Sequence, residues 1–364
     1  MSRPTKPWQP PFCPNPACDS HASPDPWRFK RKGFYRRQRG PRRVQRYACR
    51  CCGRNFSSQT FSTTYWLKAP RHLAPLFHRL IGCSALRQIA REFGLTHSSV
   101  QRQSERLGRH CLLVLDALGP RGAPTEPVVL DGFRTFEHSQ YWPFDLNLVV
   151  GASHYVYGFN EAELRRSGTM RPAQREKRAA LEAACGTPDP LATRRAVQEL
   201  VGRVAPPGAQ VEITTDEHPA YPQAFARLPD RRIVHRTRSS RESRTPSHPL
   251  FPVNLADLLL RHASANHKRE TIAFSKRRQG ALYRAAIWAV WRNFMKSRAE
   301  NRRDEPPAVA LGLLPARLRT RELLAARRFP WRHALSPWIE RAYLGRIPTR
   351  ALLRCRAHQL RYAS

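Results

Sequence analysis

The sequence has no apolar run near the ~20 residues that a membrane-spanning helix needs. Its start, MSRPTKPWQPPF, lacks the apolar stretch of a secretory signal. Both absences lead us to expect a cytoplasmic protein in a reducing compartment, with its nine cysteines serving as ligands or buried thiols rather than disulfides. No internal repeat is evident. Acids are scarce: 27 Asp and Glu stand against 64 Lys and Arg, a formal net charge of +37. That excess repels itself unless a polyanion offsets it, and nucleic acid is the obvious one. The charge is spread along the chain, which argues against a single lipid-facing patch. Arg outnumbers Lys, which suits two-pronged contacts to phosphate and guanine.

With 364 residues and 41% hydrophobic content, the chain can build two or three cores. The first segment, 1–64, is rich in Pro, Cys and Arg and has little periodicity. It carries C-x4-C and C-x2-C pairs, Cys13 with Cys18 and Cys49 with Cys52. Two close Cys pairs on turns supply the four soft ligands of a tetrahedral zinc ion. Cys51 is surplus, and His21 is an alternative to Cys18. Between the pairs, basic residues interleave with Phe29, Phe34, Tyr35 and Tyr47, a pattern suited to a strand pair gripping phosphates.

The second segment, 65–119, reads as helical. In GCSALRQIAREFGLTHSSVQRQSERLGRH, Ile89, Ala90 and Phe93 precede a Gly turn, and Thr96 can cap the next helix. Val100 and Leu107 face back to the core. This is a helix-turn-helix pattern, in which the second helix enters the major groove. Ser98, Ser99, Gln101, Arg102 and Arg106 are on its outer side, where they can meet bases or phosphates.

GPRGAPTEP marks the next boundary. In 120–300, VVLDGF, LNLVVGA and YVYGF read as successive antiparallel strands, VEITTD as a fourth and RRIVHR as a short fifth. Acids at strand ends are conspicuous in so basic a chain, and Asp131 and Asp216 are two of them. Carboxylates on neighbouring strands repel unless a cation lies between them. Divalent metal held by carboxylates is the usual means of cutting or joining phosphodiesters. Helical residues follow from 254, and an Arg-rich extension occupies 301–364. Trp288 and Trp291 read as core packing.

The order of these features resembles a bacterial insertion-sequence transposase of the DDE class with an N-terminal zinc ribbon and helix-turn-helix. CRCCGRNFS and RETIAFSKR carry the resemblance most specifically, and it covers most of 10–300. It implies a zinc ribbon at 1–64, an all-α DNA-binding module at 65–119 and an α/β ribonuclease-H-like catalytic domain at 120–300. It further implies structural Zn2+, catalytic Mg2+ or Mn2+, double-stranded DNA as partner and a dimer or larger assembly at the nucleoid. Asp131 and Asp216 then correspond to the first two acids, 85 residues apart. The third acid departs from the pattern, because the family's Glu position falls at Asn254. Asp257, one turn on, is favoured as catalytic residue and magnesium ligand, with Asn254 as a neutral oxygen donor and Glu270 as the alternative. Helix periodicity puts Asn254, Asp257 and Arg261 on one face, beside a buried stripe of Leu255, Leu258 and Leu259. On a continuous helix Glu270 would lie ~20 Å beyond Asp257. Lys268, Arg269, Lys276, Arg277 and Arg278 are candidate phosphate contacts. Two other readings stay open: an inactive relative acting as a DNA-binding regulator, and a nuclease that cuts without joining.

Overall fold

The computed structural model describes residues 8–38, 42–239, 241–243 and 245–352; residues 1–7 and 353–364 of the predicted first and last segments lie outside these. The chain divides into two units. The smaller runs to Leu76 and takes in Arg319–Ala334, and the larger holds Phe77–Leu318 and the described residues from Leu335 onward. These limits cut across the four predicted segments. The helix pair belongs to the larger unit, and the C-terminal extension supplies pieces of both.

In the smaller unit, β1 (Phe29–Arg36), β2 (Arg43–Cys49) and β3 (Asn55–Ser57) form an antiparallel sheet in that order. β1 is an edge strand with Lys30, Arg31 and Lys32 in solvent, and such charge discourages pairing with another chain. The core is aromatic: Tyr47 and Phe56 stack at 5.6 Å, and Phe61 closes against Phe56 at 6.0 Å. Phe329, from far along the chain, meets Phe12 at 5.2 Å and Phe61 at 5.5 Å and is 2% exposed. Its segment is held by Arg327 N–H donating to the Phe61 carbonyl and by the Thr63 hydroxyl donating to the Leu324 carbonyl, both at 2.8 Å. So small a core buries little surface, which is where a metal staple matters most.

The larger unit opens with α1 (Leu73–Ile81), which straddles the boundary, followed by α2 (Leu86–Phe93) and α3 (His97–Leu118). Gly94 ends α2 in the left-handed region at φ 62°, which a residue without Cβ adopts at no steric cost. Thr96 then caps α3, its hydroxyl accepting from Ser99 N–H at 3.3 Å. Ile89, Val100 and Leu107 are buried as expected.

The sheet follows. β4 (Val128–Phe136), β5 (Pro143–Gly151) and β6 (Val156–Glu163) form an antiparallel meander. After α4 (Pro172–Cys185) and α5 (Ala192–Val204), β7 (Gln210–Thr215) pairs parallel with β4. After α6 (Ala220–Phe225), β8 (Arg232–Thr237) pairs parallel with β7. The result is a mixed five-stranded sheet in the order β6-β5-β4-β7-β8, with β4 in the centre. Val128, Leu130 and Val149 pack with Leu200 and Phe225 of α5 and α6.

α7 (Phe251–Ala263) packs on β4 and β5, and α8 (Arg278–Phe294) packs on α3 and β6. α8 is buried almost all round, as a core helix is, and Trp288 is 1% exposed. Two expectations for α7 need correcting. Its buried stripe is Val253, Ala256, Leu260 and Ala263, while Leu258 is 63% exposed and Leu255 and Leu259 are partly exposed. The helix also stops at Ala263, and Glu270 lies in the following loop at φ 51°, so no continuous helix joins it to Asp257.

Candidate functional site

The four predicted zinc ligands come together in the smaller unit. Cys13 and Cys52 Sγ atoms lie 3.6 Å apart, those of Cys18 and Cys49 lie 3.9 Å apart, and all four fall within 4.8 Å of one another. A disulfide needs ~2.05 Å. Four sulfurs at ~2.3 Å around a tetrahedral ion stand ~3.8 Å apart, so these separations suit zinc. Local turns aim the thiols: Cys18 N–H donates to Asn15 O, and Gly53 N–H donates to Cys49 O, each at 3.1 Å. Burial, and after it the adjacent Cys52 and Cys49 thiols, push the Cys13 thiol up; a cation among the sulfurs reverses that balance. His21 does not take the place of Cys18. It is buried, its Nδ1 lies 2.7 Å from the Cys13 carbonyl, and it stands outside the four-sulfur group, as does exposed Cys51. The cluster could therefore hold a zinc ion, in an arrangement that fits a zinc ribbon.

The acids meet at the centre of the large sheet. The parallel β4–β7 ladder pairs Val128 with Ile213 and Val129 with Thr214, an offset of 85 residues. Asp131 and Asp216 are separated by the same offset, so continuing the ladder two rungs sets them side by side. Burial, joined by the charges of Asp216 and Asp145, pushes the Asp131 carboxyl up to about 6. Asp131 Oδ1 accepts from Gly132 N–H at 2.7 Å and from the buried Tyr221 hydroxyl at 3.5 Å. Asp216 Oδ1 accepts from His218 N–H at 3.0 Å, which turns the chain out of β7 into α6.

Asp145 on β5 was not evident from the sequence. A Cβ on Gly132 would lie 3.2 Å from its carboxylate, so the glycine makes room for it. Arg134 donates to both of its oxygens, at 3.1 and 3.2 Å. Burial raises the Asp145 carboxyl and Arg134 opposes the rise. Asp257 stands half-buried at the middle of α7, and Arg261, one turn on, lies over the Phe133 ring of β4 at 4.2 Å. Among the described residues, the four cysteines are the one group of three or more such ligands whose donor atoms all lie within 4.8 Å; Asp131, Asp216 and Asp257 form no such trio.

Of the predicted DNA contacts, Ser98, Gln101 and Arg102 are exposed on α3, and Ser99 and Arg106 are partly exposed. Ser99 also takes part in the cap, and Gln101 donates to Glu105 at 3.0 Å. Lys268, Arg269 and Lys276 are exposed and Arg277 partly so. Arg278 is a correction. It is 6% exposed, and its guanidinium donates to Glu137 at 2.7 Å inside the unit, out of reach of a phosphate backbone.

No helix among the described residues is long and apolar enough to cross a membrane. No protein-family model matches the chain, and no curated protein does. Among solved structures it is similar to a chain of the simian T-cell lymphotropic virus intasome in complex with PP2A regulatory subunit B56 gamma. The identity is 14% and the TM-score 0.23, over 65% of this chain and 70% of that one. A likeness that slight does not define a fold.

Proposed function

We propose that this protein is a DNA transposase that binds the ends of an insertion sequence and cuts and joins phosphodiesters with divalent metal. The observation that carries the reading is the β4–β7 register: its pairs Val128–Ile213 and Val129–Thr214, extended two rungs, lead to Asp131 and Asp216, and the Asp216 charge helps to raise the Asp131 carboxyl. A meander followed by two parallel strands, in the order β6-β5-β4-β7-β8, supports a ribonuclease-H-like core. Asp131 and Asp216 offer the hard oxygens that magnesium or manganese prefers. The raised carboxyl of Asp131 fits a place where positive charge is wanted. Bound there, the metal would supply Lewis-acid activation of the attacking oxygen and charge neutralisation at the leaving oxygen. Asp257 is the proposed third acid, with Asn254 beside it as a neutral donor.

The chain's own residues do the rest. Tyr221 and Gly132 N–H hold the Asp131 carboxylate in place. The zinc ribbon and the α2–α3 helix-turn-helix bind double-stranded DNA, with Ser98, Ser99, Gln101, Arg102 and Arg106 toward the major groove. Lys268, Arg269, Lys276 and Arg277 grip backbone phosphates beside the acids. Two ends must be cut together, so the active form is a dimer or larger, at the nucleoid.

A strand-transfer assay with Mg2+ or Mn2+ on the element's own ends tests this. Asp131→Asn and Asp216→Asn should each abolish cleavage while leaving end binding intact; cleavage by either variant refutes the assignment. Products that are cut but never joined would indicate a nuclease. A second reading, a DNA-binding regulator without catalysis, is favoured by one observation: Asp257 forms no close trio with Asp131 and Asp216. End binding without any metal-dependent cleavage by the wild type would establish it.

A further inference from the structure

The loop KRETIAFSKR, residues 268–277, joins α7 to α8 and places one isoleucine in a run of cations. The Ile272 side chain is 98% exposed. Single exposed apolar residues are common on protein surfaces and need no explanation by themselves. Two features set this one apart.

The first is that the loop beneath it is pinned at several points. The Thr271 hydroxyl donates to the Ala265 carbonyl and accepts from Ala273 N–H, each at 3.0 Å. The Phe274 ring meets Phe136, at the end of β4, at 5.0 Å. The Ser275 carbonyl accepts from His138 N–H, and its hydroxyl from the Asn266 amide, each at 3.1 Å. Ile272 is thus held out in solvent on both sides of its own position. The second feature is charge. Lys268, Arg269 and Lys276 are all exposed in the same loop, within four residues of it, and Lys276 lies 3.9 Å over the Phe274 ring. Glu270 is the single acid of the stretch.

A rigid apolar tip in a loop of cations matches one occupant. Phosphates pair with the cations, and the tip reaches the apolar stack between bases. We propose that Ile272 is a wedge that enters between adjacent base pairs of bound duplex DNA, with Lys268, Arg269 and Lys276 on the flanking phosphates. Proteins that insert apolar side chains in this way unstack a base step and kink the duplex. Phe136 stands five residues past Asp131 on β4, ~17 Å at ~3.4 Å per residue. A bound duplex, at ~3.4 Å per base pair, is long enough to span that distance. The inference rests on the DNA-binding part of the proposed function and not on its catalysis.

The test uses the full-length protein and duplexes of the element's terminal repeat, with 2-aminopurine moved along the site. The wild type should brighten the probe at one step. Ile272→Ser should remove that response, and Ile272→Met, which keeps an apolar tip, should retain it. The wild type should also prefer a duplex with a preformed bulge at that step more than Ile272→Ser does, by on the order of tenfold, because the bulge removes the unstacking cost that insertion into intact duplex carries. A full exposure at position 272 means the serine variant should melt like the wild type. DNA binding with no responsive step, or with the same response in Ile272→Ser, overturns the wedge and leaves the DNA-binding reading standing. Failure of the wild type to bind duplex at low salt overturns both. Loss of self-association in Ile272→Ser with an unchanged probe response assigns the tip to a second copy of the chain and also overturns the wedge.

Discussion

The guanidinium of Arg278 lies 2.7 Å from the carboxylate of Glu137, with neither side chain open to solvent. Glu137 also accepts from the Thr349 hydroxyl at 2.7 Å, and Thr349 in turn accepts from Arg278 N–H at 2.9 Å. The three residues tie the end of β4, the start of α8 and the C-terminal strap into one network. Breaking a buried pair leaves the partner charge uncompensated, at ~3–5 kcal/mol. Glu137→Ala should fall at the lower end, because Glu163 stands 3.8 Å from the same guanidinium and takes up part of the charge. Urea unfolding should read this as a lower midpoint with an unchanged slope. A loss under ~1 kcal/mol would mean that the pair is open to water.

Gly108 decides how closely α3 approaches α8. A Cβ there would fall 2.8 Å from the Cα of Tyr283, and backbone cannot swing aside as a flexible side chain can. Alanine favours a helix over glycine by ~1 kcal/mol. Overpacking costs ~1–3 kcal/mol, so the clash should win. Gly108→Ala is expected to lower the melting temperature, and Gly108→Val to lower it further. A stabilised Gly108→Ala would show that the two helices can separate at no cost.

The Cys cluster makes a prediction with an internal control. Cys49→Ser should release zinc and unfold the three-stranded sheet, because a small metal-bound module gains its folding energy from the ion. Cys51→Ser should keep one zinc per chain, since Cys51 is exposed and outside the four-sulfur group. Elemental analysis beside hydrogen exchange checks both. Zinc retained by Cys49→Ser, or lost by Cys51→Ser, would assign the ligands differently.

Which features the sequence revealed, and which it hid, follows from how local each one is. The strands were legible because VVL, NLVV and EITT are β-branched runs between turn residues. The 85-residue spacing of Asp131 and Asp216 is itself the ladder offset. α7 was misjudged because leucine bulk stood in for burial; the helix packs through Val253, Ala256 and Leu260, leaving Leu258 to solvent. Asp145 was hidden because β5 is buried on both faces, so no alternation marks its acid. Arg278 sits in a run of like residues, and only Glu137, 141 positions away, distinguishes it. Phe329 could not be assigned to the Cys module from a basic tail, because its ring partners are some 270 to 320 positions upstream in the smaller unit.

Glu161 gives the protein a pH dependence of its own. Its carboxylate lines a cavity of about 1070 Å³ beside Arg278 and Glu199, and accepts from the Trp338 indole N–H at 2.8 Å. Burial pushes the carboxyl up from 4.5 to about 7, against the pull of Arg278. A carboxyl raised on folding binds more protons in the folded state than in the unfolded one. Its contribution to stability is therefore full below pH 4.5 and is lost as the pH rises through about 7. The cavity admits some solvent, so we expect a loss of ~1–3 kcal/mol rather than the full equivalent of the shift. Glu161→Gln keeps an oxygen for the indole and cannot ionise, so it should become more stable relative to the wild type by that amount between about pH 4.5 and about pH 8. Denaturant melts of both proteins across this range measure the difference, which cancels every other titrating group that the two share. A difference that stays flat with pH would mean that Glu161 ionises as freely in the fold as in the unfolded chain.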